Sequence, residues 1–213
     1  VARIDLYAVA LDADLDDSAL SPAERARAAR FVFDVHRRRF SAARAALRRI
    51  LAAHLGTTPA AIVFTELAHG KPAVAGLEFN LSHSDELAVI AVTRDAPLGV
   101  DVERVRDVPD ALAIAEHYFA PGERAALAAA PAAERARAFL RCWTRKEAFI
   151  KAIGEGLSHP LQRFEVALDA ARFIAIDGSE AAAARWSLVA LEPAPGYIGA
   201  LAVPATPAEI TWH

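Results

Sequence analysis

The stretch LAVIAVTRDAPLGVDVE, residues 87–103, decides how the chain is read. Leu87 to Thr93 is an apolar run that reads as a strand. Arg94 to Pro97 reads as a turn, and Leu98 to Glu103 as a second strand expected to lie beside the first. Residues two apart on a strand share a face, so Asp101 and Glu103 project together while Val100 and Val102 point the other way. Their Cα atoms are expected about 6–7 Å apart, close enough for both carboxylates to converge on one ion. Two solvated acids on an open face would give the same spacing. If an ion is held, a hard cation such as Mg2+ suits these oxygens better than zinc, because soft ligands are lacking nearby.

Outward from this stretch, both flanks carry a long helix and several strands. On the N-terminal side, Val1 to Val9 alternates like a strand, and Ser21-Pro22-Ala23-Glu24 is a helix start with a capping serine, a first-turn proline and a box-closing glutamate. A second helix is expected from about Ala42 to Leu55, stopped by Gly56 and Pro59, then a short strand from Ala61 to Glu66 and a turn at Gly70-Lys71-Pro72. On the C-terminal side, helices are expected from beyond Pro109 to about Phe119, from Pro121, and from Pro131 to Ile153, where Gly154 supplies the stop. Strand-like runs follow at Phe164–Leu168, Arg172–Ile176, Trp186–Leu191 and Tyr197–Val203. The expected class is α+β, with two similar α/β lobes forming a pseudo-twofold monomer. Residues 1–105 would carry the basic helices and the acidic strand, and residues 106–213 the long helix. One continuous mixed sheet fits the same pattern.

The long helix contains WTRKEAFIKAIGEGL, residues 143–157, in which Trp143, Glu147 and Lys151 lie four apart on one stripe. Trp143 reads as a packing residue. Glu147 and Lys151 taken alone could be a surface ion pair worth a few tenths of a kcal/mol.

Composition sets the outer bounds. A 213-residue chain with 54% hydrophobic residues can bury more than one core, and the net charge of -3 conceals nine arginines between Arg25 and Arg49. That run is too short, and the acidic motifs too repulsive to phosphate, for a nucleic-acid footprint. The single cysteine, Cys142, excludes an intramolecular disulfide and a cysteine-rich zinc site. No segment approaches the roughly 20 apolar residues needed to cross a bilayer, and the first residues lack the pattern of a secretory signal. The expectation is a soluble cytoplasmic protein.

Taken together, Gly70-Lys71-Pro72, Asn80-Leu81-Ser82-His83-Ser84, Gly99-Val100-Asp101-Val102-Glu103 and the Trp143, Lys146, Glu147, Lys151, Gly154, Gly156, Leu157 pattern resemble the 4′-phosphopantetheinyl transferase family of the long, two-lobed monomeric type. The four pieces stand in family order and span most of the chain. The resemblance implies transfer of the 4′-phosphopantetheine arm of coenzyme A to a serine of an apo carrier protein, with release of adenosine 3′,5′-bisphosphate and dependence on Mg2+. It implies that Asp101, Glu103 and Glu147 face the metal and that Lys151 meets the pyrophosphate. Lys71, Ser82 and His83 would contact coenzyme A phosphates, with Arg27, Arg30, Arg39 and Arg44 as candidates for its 3′-phosphate. Asp101, Glu147 and Lys151 form the expected catalytic set, Glu147 serving as general base directly or through a metal-bound water. His83 would equally well fasten a turn. The implied partner is a carrier protein or carrier domain of a peptide, polyketide or fatty-acid synthase, neither nucleic acid nor membrane. Retention of the scaffold for binding without transfer is the competing reading within this family.

Overall fold

The protein is described by a computed structural model covering residues 2–13, 17–204 and 209–213, without the side chains of Ala68 and Leu157. Its elements follow one scheme twice. In the first half, strand β1 (Arg3–Ala10) leads through α1 (Pro22–Ala28) to the long helix α2 (Asp34–Leu55). The small hairpin β2 (Thr65–Glu66) and β3 (Pro72–Ala73) precedes β4 (Glu78–Ser84) and β5 (Leu87–Thr93). In the second half, β6 (Gly99–Arg104) leads through α3 (Ala111–Tyr118) and α4 (Pro121–Ala129) to the long helix α5 (Ala132–Ile153). The pair β7 (Phe164–Val166) and β8 (Phe173–Ile176), with α6 (Glu180–Ala183), then precedes β9 (Trp186–Leu191) and β10 (Tyr197–Pro204). A last strand, β11 (Glu209–Trp212), returns to run parallel with β1.

The two main sheets have the orders β11-β1-β5-β4 and β6-β10-β9, so the second strand of each antiparallel pair β4–β5 and β9–β10 lies inside its sheet. Both middle strands are buried along their length, except the last residue of β10, which is partly buried. Leu47 and Leu51 of α2 pack on Phe79, Ile90 and Val92 of the first sheet. Phe149 and Ile150 of α5 pack toward Ile198, Ala200 and Ala202 of the second. The remaining faces meet each other, Ile4, Leu6 and Val89 against Val100, Val102 and Leu201. The result is helix, sheet, sheet, helix, two α/β lobes related by pseudosymmetry with an apolar seam between their sheets.

Local chemistry explains several boundaries. The Ser21 hydroxyl accepts from the Glu24 N–H at 3.2 Å and the Glu24 carboxylate accepts from the Ser21 N–H at 2.9 Å, closing the expected box at α1. Gly154 ends α5 at φ 77°, a left-handed conformation that glycine adopts without a Cβ penalty. Gly99 lets β6 lie directly on α5, since a Cβ there would sit 2.1 Å from the Ala148 carbonyl oxygen.

Three expectations need correction. β6 is not the hydrogen-bonded neighbour of β5: it pairs antiparallel with β10, from Gly99 opposite Ala202 to Arg104 opposite Tyr197. The acidic strand grouped with residues 1–105 therefore belongs to the second sheet, because the short turn at 94–97 carries the chain from one sheet to the other. Helix α2 begins at Asp34, not near Ala42; Asp34 pairs with Arg37 and Arg38 one turn on, which supports two additional turns of an arginine-rich segment. The strand expected from Ala61 to Glu66 shrinks to Thr65–Glu66 because Pro59–Ala61 forms a short 3-10 turn.

Candidate active site

The candidate site lies where β4 and β6 approach and the end of α5 crosses them. Val100 and Val102 turn into the seam between the sheets, so Asp101 and Glu103 turn toward α5. On α5 the intermediate exposures of Trp143, Glu147 and Lys151 mark one stripe bordered by buried neighbours. Trp143 stacks on Phe139 at 5.9 Å between ring centroids and packs against the core, the role expected for it.

Asp101 is 5% exposed. Its Oδ1 accepts from Lys151 Nζ at 2.6 Å and from the Ser82 hydroxyl at 2.7 Å. Its Oδ2 is buried and has no hydrogen-bond partner among the described residues. Burial pushes the Asp101 carboxyl up, against the pull of Lys151 and Ser82. Glu103 accepts at Oε2 from Ser84 at 2.9 Å and from Arg106 at 2.8 Å. Glu147 is also raised, first by burial and then by the charges of Asp101 and Glu103. Glu147 on α5 therefore has a higher proton affinity than an isolated side chain.

Ser82 is buried, and its hydroxyl is engaged three ways: it donates to Asp101, accepts from Lys151 Nζ at 3.1 Å and accepts from the Val102 N–H at 3.3 Å. Lys71 reaches the end of α5, donating to the carbonyls of Lys151 at 2.8 Å, Leu98 at 3.2 Å and Ala152 at 3.5 Å. Its ammonium thus ties β6 and α5 to the loop that carries it, and burial lowers its pKa. In this arrangement neither the Ser82 hydroxyl nor the Lys71 ammonium is free to meet a phosphate without leaving these partners.

Beside the acids opens a cleft of about 330 Å³ lined by Arg27, Phe31, His36, Arg39, Phe40, His83, Ser84 and Asp85. Three expected anion-binding residues, Arg27, Arg39 and His83, meet there. Arg27 lies 5.2 Å over the Phe40 ring, and Arg39 is held by Asp12 through two hydrogen bonds of 2.8 and 2.9 Å. Desolvation at the cleft wall, with Lys151 and Arg39 nearby, lowers the His83 pKa and favours its neutral ring. Arg30 is exposed in the turn beyond α1. Arg44 faces elsewhere: it pairs with Glu24 at 2.7 Å and stacks 4.4 Å over Phe64. Glu24 also holds the buried Arg48 at 2.5 Å. Phe31, His36, Phe40 and Arg106 stand in no motif of the sequence, and Asn80 and Ser84 stand in one that gives them no role. The polar alternation at residues 80, 82 and 84 was the available signal.

Among the described residues, no group of three or more histidine, cysteine, aspartate or glutamate side chains forms a ready-made metal cage, and no helix is long and apolar enough to cross a membrane.

Comparison with known proteins agrees with this layout. Residues 97–202 match the family model for the 4′-phosphopantetheinyl transferase superfamily, and residues 12–95 match the model for the N-terminal part of 4′-phosphopantetheinyl transferase. The chain is 38% identical over 212 residues to the 4′-phosphopantetheinyl transferase HetI of Nostoc sp. (strain PCC 7120 / SAG 25.82 / UTEX 2576), covering 94% of this chain and 87% of that one. It is 32% identical to the 4′-phosphopantetheinyl transferase Sfp of Bacillus subtilis (strain 168), over 71% of this chain and 67% of the relative. With the 4′-phosphopantetheinyl transferase psf-1 of Bacillus pumilus it shares 38% identity over 68% of this chain and 62% of the relative.

Proposed function

The chain belongs to the 4′-phosphopantetheinyl transferase family, and from that premise we propose that it moves the 4′-phosphopantetheine arm of coenzyme A onto a serine hydroxyl of an apo carrier domain of a peptide, polyketide or fatty-acid synthase. The observation that carries the proposal is the buried Oδ2 of Asp101, which has no hydrogen-bond partner among the described residues while Lys151 and Ser82 hold Oδ1. A buried carboxylate oxygen without a partner is costly unless a ligand completes it.

The donors fit Mg2+. They are hard oxygens, and Mg2+ is commonly held by one or two carboxylates with substrate phosphates completing its shell, so a closed protein cage is not required. Asp101, Glu103 and Glu147 would hold the ion. When bound, it would neutralise charge on the pyrophosphate and on the departing oxygen.

The chain's own groups account for the rest. Arg27, Arg39 and His83 would receive the nucleotide end in the cleft, with the Phe31 and Phe40 rings beside it. Lys151 would place its ammonium by the pyrophosphate, exchanging part of its contact with Asp101. The serine oxygen attacks phosphorus in line with the leaving oxygen. A new Ser O–P bond forms, the bond to adenosine 3′,5′-bisphosphate breaks, and Glu147 takes the hydroxyl proton.

Incubation with coenzyme A, Mg2+ and a panel of apo carrier domains, followed by intact-protein mass spectrometry, tests the reading. One phosphopantetheine group should be added to at least one carrier, and chelation with EDTA should abolish it. No gain on any carrier, where a control transferase modifies them, would reject it.

A further inference from the structure

The seam between β4 and β6 is joined in an unusual way. β6 uses one edge for its ladder with β10, which leaves the N–H groups of Val100, Val102 and Arg104 on the other edge. Among the described residues no backbone ladder covers that edge. Side chains of β4 take the place of one: Asn80 Oδ1 accepts from the Val100 N–H at 2.9 Å, Ser82 Oγ from Val102 at 3.3 Å and Ser84 Oγ from Arg104 at 3.1 Å. Alternate positions on one strand thus meet alternate positions on the other in constant register.

A serine hydroxyl that accepts a backbone proton still has its own proton to give, whereas the Asn80 carbonyl oxygen does not. Ser82 gives that proton to Asp101 Oδ1 at 2.7 Å and Ser84 gives it to Glu103 Oε2 at 2.9 Å. At the third rung the corresponding residue is Gly99, which has no side chain. Each acid is therefore held through one oxygen, with a cation on that same oxygen: Lys151 on Asp101 Oδ1 and Arg106 on Glu103 Oε2. The second oxygen of Asp101 is left without a partner.

We propose that Ser82 and Ser84 are positioning residues: each reads the β6 backbone with one lone pair and orients an acid of the metal-binding pair with its proton, fixing which carboxylate oxygen is presented to the divalent cation. This rests on the metal reading given under Proposed function. It assigns Ser84 a role, and it gives the Ser82 hydroxyl a task other than phosphate contact. Hydrogen-bonded partners of metal ligands commonly change metal affinity by about 10- to 100-fold when removed.

Asn80 supplies the control, because it makes the same kind of contact to β6 without touching an acid. Mn2+ binding to the full chain in the presence of coenzyme A, followed by electron paramagnetic resonance, reads the difference. Ser84→Ala should weaken Mn2+ binding by about tenfold or more, and Ser84→Thr, which keeps the hydroxyl, should restore most of it. Asn80→Ala should lower the melting temperature and leave Mn2+ affinity near that of the unaltered chain. Where alanine at 84 prevents purification, Ser84→Cys supplies a poorer donor of similar size and should show the same loss. Equal shifts in Asn80→Ala and Ser84→Ala, or no shift at Ser84, would overturn the proposal. Mn2+ binding by the unaltered chain that is lost in Asp101→Ala keeps the metal reading intact in that event. No Mn2+ binding by the unaltered chain would overturn the metal reading and this inference with it.

Discussion

Helix α5 carries two lysines five positions apart, each paired with an acid, and the two pairs differ in what they leave over. Lys146 and Glu123 meet at 2.8 Å with both side chains fully buried. The Lys146 ammonium also donates to the carbonyls of Leu161 and Phe164, and Glu123 accepts from the N–H groups of Ala120 and Val166. All three ammonium protons and both carboxylate oxygens are engaged. Lys151 and Asp101 meet at 2.6 Å with 26% of the lysine side chain exposed and one aspartate oxygen unsatisfied among the described residues. A saturated pair can do nothing but hold structure; an unsaturated one has capacity for a ligand. Adjacent residues on one helix, Lys146 and Glu147, therefore belong to different tasks, separated by the side of α5 on which they emerge.

This contrast can be broken most forcefully at Asp101. Asp101→Ala should lower transfer by on the order of a thousandfold, equivalent to about 4 kcal/mol of lost charge stabilisation, while thermal unfolding changes little. A large fall in melting temperature with transfer intact would reverse the assignment of the two pairs. Lys146→Met should do the opposite, leaving Glu123 buried without its counter-charge at a cost of about 3–5 kcal/mol. Chemical denaturation would read this, and activity per folded molecule should stay near that of the unaltered chain. Addition of Glu123→Gln to that variant should recover part of the loss, because removing both charges costs less than stranding one.

A third pair sharpens the comparison in the first lobe. Glu24 is pushed up by burial, yet the Ser21 N–H and the Arg44 and Arg48 guanidinium groups hold its pKa below the ordinary 4.5. Because the folded value is depressed, its stabilisation is present above pH 4.5 and is lost as pH falls through the lower folded value. Glu24→Gln should cost about 2 kcal/mol at neutral pH and flatten the acid limb of the stability curve. An unchanged acid limb would show that α1 is held to α2 by other contacts.

The parts of this molecule that were legible in the sequence are those fixed by neighbours along the chain. The box at Ser21 to Glu24 and the stop at Gly154 name helix ends because their partners lie within a turn. Shared faces for Asp101 with Glu103, and for Glu147 with Lys151, follow from strand and helix periods. What stayed hidden depends on distant partners. Nothing local tells that β6 leaves β5 for β10, that Glu24 draws Arg44 away from the cleft, or that Lys71 spends its protons on the end of α5. The charged opening of α2 was missed because arginines dilute the apolar period, while the ion pairs at Asp34 that support those turns carry no hydrophobic signal.

The parallel pairing of β11 with β1 has a consequence for biogenesis. Arg3 lies opposite Glu209, so the outer rim of the first sheet is finished by residues made long after the strand they join. A nascent chain on the ribosome holds β1 and β5 long before that closing strand emerges, and meanwhile exposes an unpaired rim able to recruit foreign strands. Completion of the first lobe thus waits on translation of the second.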